Sequence, residues 1–213
     1  MPETLAADLV LHYAPRTRSF GALWLLEELG VPYRLESFDL ATKHHKSAAH
    51  LALNPMGKVP VVVDGEVPVS ETGAIAIYLC DRYPAAGLAP SFDATTRPAY
   101  LRWIFFATAL FEPALAEKFG KWEPRPSSHA WGSFDQVLEA ATQALETEPF
   151  LVGGRFTAAD LLCANVFRFG IMFGALPKEG VLADYVGRMT KRDAFVRASE
   201  IEAREGARFP MKK

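Results

Sequence analysis

The chain changes pattern once, near residue 84, and that change limits the folds open to it. Before it, short apolar runs alternate with helical spacing. After it, strand signals stop. Leu9-Val10-Leu11-His12-Tyr13 has the length and character of a buried strand. Ala22, Leu25, Leu26 and Leu29 recur at i, i+3, i+4 and i+7, as on one helix face, and Phe20, Leu23 and Trp24 add a second stripe. Two apolar stripes predict a helix covered on two sides. Gly30 can end it in a left-handed conformation, and Pro32 prevents resumption. Residues 33–38 read as a second strand, 47–53 as a weak helix and 59–63 as a third strand. Asp64-Gly65 is a hairpin signal leading to a fourth strand at 67–69. A helix follows over 72–83 and stops at Pro84.

Strand, helix, strand, helix, strand, strand, helix is the thioredoxin order. The expected fold is therefore a thioredoxin-like α/β domain at 8–84, a linker at 85–97 carrying Gly87 and Pro90, and an all-α helical bundle domain at 98–213. Helical patterns are expected over 95–119 (bent or broken near Pro113), 128–147, 157–173, 179–188 and 191–204. Thr157-Ala158-Ala159-Asp160 has capping-box spacing, with Phe156 and Leu161 where a hydrophobic staple would sit.

The chain has 213 residues, half of them hydrophobic, and a net charge of −2. A substantial core can be buried. The charge disfavours nucleic acid as a partner, because a polyanion needs a basic face. Cys80 and Cys163 lie far apart in apolar surroundings without a Cys-x-x-Cys, and read as reduced, buried thiols. The start carries no secretory pattern, and no apolar run approaches the ~18 residues that span a membrane. A cytoplasmic protein with no membrane partner and no metal is the expectation.

Asn54-Pro55-Met56-Gly57-Lys58-Val59-Pro60-Val61 is the most informative segment. A proline entering an apolar strand removes a ladder donor. It is tolerated on an edge, or where the bond is cis and the chain turns sharply. The second case leaves the Val59 backbone able to pair with an extended peptide. Ser70-Glu71-Thr72-Gly73 sits between the fourth strand and the next helix. Free amides and a hydroxyl at a helix start form an anion site, and a neighbouring carboxylate can hold an ammonium. The pair suits an amino-acid head group, with its carboxylate on Thr72 and its amine on Glu71. An ordinary N-cap by Ser70 or Thr72 is the plainer alternative.

Val59-Pro60 followed some ten residues later by Glu71-Thr72 resembles the glutathione transferases, whose pattern is Val-cis-Pro and then a Glu/Asp-Ser pair opening a helix. Gly57-Lys58-Val59-Pro60, Ala74-Ile75-Ala76-Ile77-Tyr78-Leu79, Leu25-Leu26-Glu27-Glu28-Leu29-Gly30 and Thr157-Ala158-Ala159-Asp160 are similar to that family as well. The resemblance runs over roughly residues 9–200. Thr72 departs from the commoner Ser but keeps the hydroxyl. The resemblance implies glutathione as co-substrate: the Val59 backbone pairs with its cysteinyl part, Pro60 shapes that edge, and Glu71 and Thr72 hold the γ-glutamyl end. Lys58 lies near the glycyl carboxylate, with His44 or Lys46 assisting unless their loop is solvated surface. A homodimer is also implied.

The family places its thiol-activating group just after the first strand, here Tyr13-Ala14-Pro15-Arg16-Thr17-Arg18-Ser19. By similarity Thr17 falls where some classes carry a catalytic Ser, and Arg18 where a bacterial class carries Cys. Tyr13 lies near the position of the tyrosine-using classes, and Ser19 belongs to the first helical turn. Thr17 is the expected donor to the thiolate, aided by the helix start and Arg18; simple capping by Thr17 or Ser19 is the alternative. A co-substrate pocket at the junction of the halves is expected to draw on Tyr100, Trp103, Phe106, Leu110 and Trp122, unless these aromatics are bundle core. The expected function is conjugation of the glutathione thiolate to hydrophobic electrophiles, in detoxification. Glutathione-dependent reduction, isomerisation or dehalogenation, and non-catalytic glutathione binding, stand beside it.

Overall fold

A computed structural model describes residues 8–210. β1 (Leu9–Tyr13) lies between β2 (Arg34–Ser37) and β3 (Val61–Asp64), and β4 (Val67–Ser70) closes the sheet in the order β2-β1-β3-β4. β1 runs parallel to β2 and antiparallel to β3, and β3 forms the expected hairpin with β4 about Gly65, whose φ is +61°. The parallel pair needs a crossover, which α1 (Ser19–Leu29) supplies. Gly30 ends α1 at φ +65°, with its amide bonded to the Leu26 carbonyl.

Every residue from Ser19 to Leu26 is buried, as the two apolar stripes predict. The second cover comes from the far end of the chain. α9 (Asp193–Arg208) sets Phe195 edge-on against Trp24 (centroids 4.9 Å apart) and Phe20 (5.5 Å), and Arg197 pairs with Glu27 at 2.7 Å. The structure therefore divides into two compact units, 8–86 with 193–210, and 87–192. This differs from the expected single boundary, because the apolar face of α9 is satisfied by α1.

The rest of the α/β unit is α2 (Ala48–Leu53) and α3 (Thr72–Arg82). Around α2, 3₁₀ turns occupy 40–42 and 44–46, where the sequence reads as irregular.

The second unit holds α4 (Arg97–Phe105), α5 (Glu112–Gly120), α6 (Phe134–Thr147), α7 (Ala158–Met172) and α8 (Val181–Met189). The expected break near Pro113 takes the form of a π-helical segment, Phe106–Phe111, joining α4 to α5 without interruption. Proline lacks an amide and crowds the carbonyl four residues back; a wider turn relieves both. α6 begins at 134 rather than 128. Ser133 caps it, with Gln136 reaching back to the Ser133 amide at 3.0 Å. At α7 the Asp160 carboxylate accepts from the Thr157 amide (2.8 Å), the Leu151 amide (2.8 Å) and the Tyr185 hydroxyl (2.9 Å). Cys80 and Cys163 are buried and form no disulfide among the described residues, and burial pushes the Cys163 thiol well up.

Candidate functional site

One end of the sheet gathers the segments singled out from the sequence. Val61 pairs with His12 on one side and with Ser70 on the other. Pro60 is thus one residue before the first paired residue of β3, and Glu71 one residue after the last paired residue of β4. The Val59-Pro60 bond is cis. Val59 precedes the first ladder pair of β3, so its backbone is not spent in the sheet.

Glu71 is the N-cap of α3 and sits at φ +68°, ψ +124°, a region a side chain adopts at a cost of about 1–3 kcal/mol. Among the described residues no side chain caps this helix, so Ser70 and Thr72 are not its N-caps. At this helix start Glu71 is exposed, Thr72 half-buried and Gly73 buried. A helix tip left open in this way attracts an anion, and the carboxylate attracts a cation.

The Lys58 carbonyl, one peptide before Val59, accepts from His50 Nε2 at 3.0 Å and from Asn54 Nδ2 at 3.2 Å. His50 and Asn54 are both buried. A carbonyl only accepts, so His50 carries its proton on Nε2. Asn54 Oδ1 also takes the Met56 amide at 3.0 Å. Gly57 is required at the bend: its φ is +57°, and a Cβ there would stand 2.7 Å from the His45 carbonyl. Lys46 spends its ammonium on the Met56 carbonyl (3.0 Å), and His44 packs on Phe38 (centroids 4.6 Å), so both brace this loop. Lys58 itself is exposed. His12 lies 5.7 Å from His50, ring to ring. Burial holds the His12 pKa below its ordinary value; Glu36 opposes the shift, and His50, His44 and Arg34 add to it. These histidines form no metal-ligand set among the described residues.

The loop after β1 is knotted by hydroxyls. Thr17 Oγ1 lies 2.7 Å from the Ala14 carbonyl and 2.6 Å from Ser19 Oγ, which is itself 2.8 Å from that carbonyl. The Ser19 amide donates to Thr17 Oγ1 at 3.1 Å, and the Ala14 amide to Ser19 Oγ at 3.2 Å. Tyr13 and Ser19 are completely buried. A hydroxyl without surface has no path to a sulfur held outside the protein, so of the four expected residues only half-buried Thr17 and exposed Arg18 face outward. Arg18 is the N-cap of α1 and makes no side-chain cap bond.

In the helical unit, Phe106 and Leu110 line a cavity of about 330 Å³, joined by Arg102 and Phe105. Its opposite wall is Trp131, Gln136, Val137 and Ala140. Tyr100 and Trp103 are instead buried core residues of α4, and Trp122 is 53% exposed and off the cavity. The aromatic count in the sequence does not separate inward from outward faces of α4.

Sequence reasoning missed Arg16, Glu202, His50 and Asn54. His50 had a signal, a lone imidazole in the apolar run Ala48-Ala49-His50-Leu51. Arg16 and Glu202 had none, since the two are brought together only by folding.

The description "Glutathione S-transferase, N-terminal domain" fits residues 9–81. Human glutathione S-transferase theta-2 is 30% identical over 182 residues, covering 79% of this chain and 73% of its own. Glutathione S-transferase GstA of Escherichia coli O157:H7 is 28% identical over 194 residues, covering 85% and 92%. A sphingomonad glutathione S-transferase solved with glutathione superposes with a TM-score of 0.76 at 25% identity, over 91% of this chain and 98% of that one. Identity of this order, carried through both the sheet and the helices, marks common descent: the chain belongs to the glutathione S-transferase family.

Proposed function

We propose that this chain binds glutathione at the Val59-Pro60 edge and transfers its thiolate to apolar electrophiles, in a cytoplasmic detoxifying role. The observation that carries the reading is the uncapped tip of α3 beside the Val59 backbone. The Val59 amide and carbonyl pair with the cysteinyl unit. The Thr72 hydroxyl and the α3 amides receive the γ-glutamyl carboxylate, and Glu71 receives its ammonium. Lys58 lies near the glycyl carboxylate. His50 and Asn54, through the Lys58 carbonyl, hold the edge still before glutathione arrives.

The thiol must lose its proton to attack, because only the thiolate is strongly nucleophilic. A free thiol ionises near pH 8.5, so lowering that by two units requires about 2.7 kcal/mol of preferential stabilisation of the anion. One or two charge-assisted hydrogen bonds supply this. Thr17 is the donor in this reading. Ser19 keeps the Ala14 carbonyl, the Ser19 amide stays on Thr17 Oγ1, and the Thr17 proton turns to the sulfur. The amides opening α1 add positive potential. The thiolate then forms a carbon–sulfur bond as the leaving group departs with its electron pair, or as a polarised double bond takes up the charge.

A second reading, glutathione binding without turnover, is favoured by one observation: the Thr17 hydroxyl is engaged within its own loop. Reduction, isomerisation or dehalogenation would use the same thiolate. A homodimer belongs to the reading too, supported by the apolar hollow that Val69, Ala74 and Ile77 form on β4 and α3. The test is retention on immobilised glutathione, followed by turnover of a panel of electrophiles and peroxides. Elution in the void removes glutathione binding; retention without turnover selects the second reading.

A further inference from the structure

Residues 40–57 are stitched to themselves. Among the described residues, every hydrogen bond they make ends within 39–58. None joins them to the strands or to α1. α2 is six residues long, too short to persist by itself. Its one buried residue is His50, and Leu51 and Leu53 are half-buried. Side-chain packing therefore fastens the segment to the sheet, and at its centre stands an imidazole rather than a hydrocarbon.

His50 meets three rings: His12 of β1 and Phe38, each edge-on with centroids 5.7 Å away, and His44 at 6.2 Å. His12 Nδ1 and His50 Nδ1 are both buried without a hydrogen-bond partner. A proton added to this contact makes a buried cation with a donor that no acceptor receives, which packing disfavours. The charged and titratable groups around His12 are Arg34 and Glu36 on β2, His44 in the second 3₁₀ turn and His50 on α2. Val61, its partner on β3, is apolar. Burial lowers the His12 pKa; Glu36 opposes this, and His50, His44 and Arg34 reinforce it. β1 is bonded to a strand on each side, so of the two partners the segment is the one that can leave.

We propose that His12, His44, His50 and Phe38 form a proton-operated latch: a proton on His12 frees residues 40–58 from the sheet and withdraws the Lys58–Val59 edge from glutathione. The withdrawal rests on the glutathione site proposed above; the release does not. The latch favours neutral His12, so it holds fully above pH 6.5. It weakens as pH falls from there toward the lowered folded value.

The experiment measures amide hydrogen exchange of the full chain from pH 7.5 to 5.0, corrected for intrinsic exchange. At pH 5.5 the amides of 48–58 are expected to be at least about tenfold less protected than those of β1 and α1, which marks opening of the segment alone. Below pH 6.5 their protection should fall toward about tenfold per pH unit, the limit for one proton. His12→Leu should abolish the fall. Glu36→Gln, on an exposed residue, removes the opposing carboxylate and should deepen it. Protection of 48–58 equal to that of β1 and α1, a fall absent from the native chain or kept in His12→Leu, or no deepening in Glu36→Gln overturns the latch. Glutathione at about ten times its Kd, measured by calorimetry at pH 7.5, should raise the protection of 48–58 about tenfold. Bound glutathione without that rise overturns the withdrawal. No binding at pH 7.5 removes the glutathione site, and with it the withdrawal, while exchange without ligand still decides the latch.

Discussion

The Glu202 carboxylate on α9 accepts a hydrogen bond from the Arg16 backbone N–H at 2.7 Å, across 186 residues of sequence. Arg16 stands at φ +61°, and its guanidinium returns to the Gly206 and Phe209 carbonyls at the end of the same helix. Gly206 leaves room for this, since a Cβ there would lie 3.0 Å from Arg16 Nη1. The loop that carries Thr17 is thus tied at its left-handed residue to the last helix. The second Glu202 oxygen is buried without a hydrogen bond, and burial raises the Glu202 pKa while the Arg16 amide opposes it. Glu202→Ala is expected to leave the Arg16 amide unpaired and cost about 1–3 kcal/mol in denaturant unfolding. It should reduce kcat/KM with glutathione about tenfold through loop misplacement, with the sheet site still retained on immobilised glutathione.

Thr17 is tested through the thiol rather than through rate alone. In Thr17→Ala the pKa of bound glutathione, read by thiolate absorbance, should rise by about one to two units, the yield of one charge-assisted hydrogen bond. Thr17→Ser should restore it. An unchanged thiol pKa and unchanged turnover in Thr17→Ala would remove Thr17 from the mechanism and leave activation to the α1 amides.

The Lys58 carbonyl has two buried donors, so each replacement alone leaves the other in place. His50→Phe keeps the ring volume, and Asn54→Ala removes the smaller partner. Each is expected to cost about 1 kcal/mol of stability, and the double variant more than their sum, because only then is the carbonyl unpaired. Glutathione affinity, measured by calorimetry, should follow the same non-additive order.

His12 makes the α/β unit sensitive to acid. Its folded pKa lies below the ordinary 6.5, chiefly through burial. The neutral form is therefore favoured by folding. This stability is present in full above pH 6.5 and is lost as pH falls through the lowered folded value. Tm should decline between pH 7 and the acid side of 6, more steeply than in His12→Leu. His50, His44 and Arg34 add to the lowering of the His12 pKa, whereas Glu36 offsets part of it. A Tm profile identical in His12→Leu would place the acid sensitivity elsewhere.

Asp160 is expected to be among the costliest positions of the helical unit. Its buried carboxylate collects the Thr157, Leu151 and Tyr185 donors, and burial raises its pKa against them. Asp160→Ala strands three buried donors and should cost about 3–5 kcal/mol in urea unfolding, or prevent folding. Asp160→Asn keeps two acceptor directions and should cost less.

Much of this was legible from local pattern. Strand and helix order, the Gly30 stop, the Asp64-Gly65 hairpin and the Thr157–Asp160 box all depend on residues within a turn or two of each other, and φ/ψ preference and side-chain period act at that range. The cis bond at Val59-Pro60 and the helix start at Thr72 were legible for the same reason, since each depends on residues close in sequence. What lay beyond that range was decided by packing. The sequence alone placed residues 191–204 with the other helices, yet the two-sided apolar surface of α1 drew α9 to itself. Arg16 met Glu202, and Tyr13 and Ser19 sank out of reach while Thr17 stayed near the surface. Phe106 and Leu110 of the π-helical segment lined a cavity, whereas Tyr100 and Trp103 of α4 were buried in the core. Periodicity states that a helix has an apolar face; only the neighbour that covers it determines which side chains remain to meet a ligand.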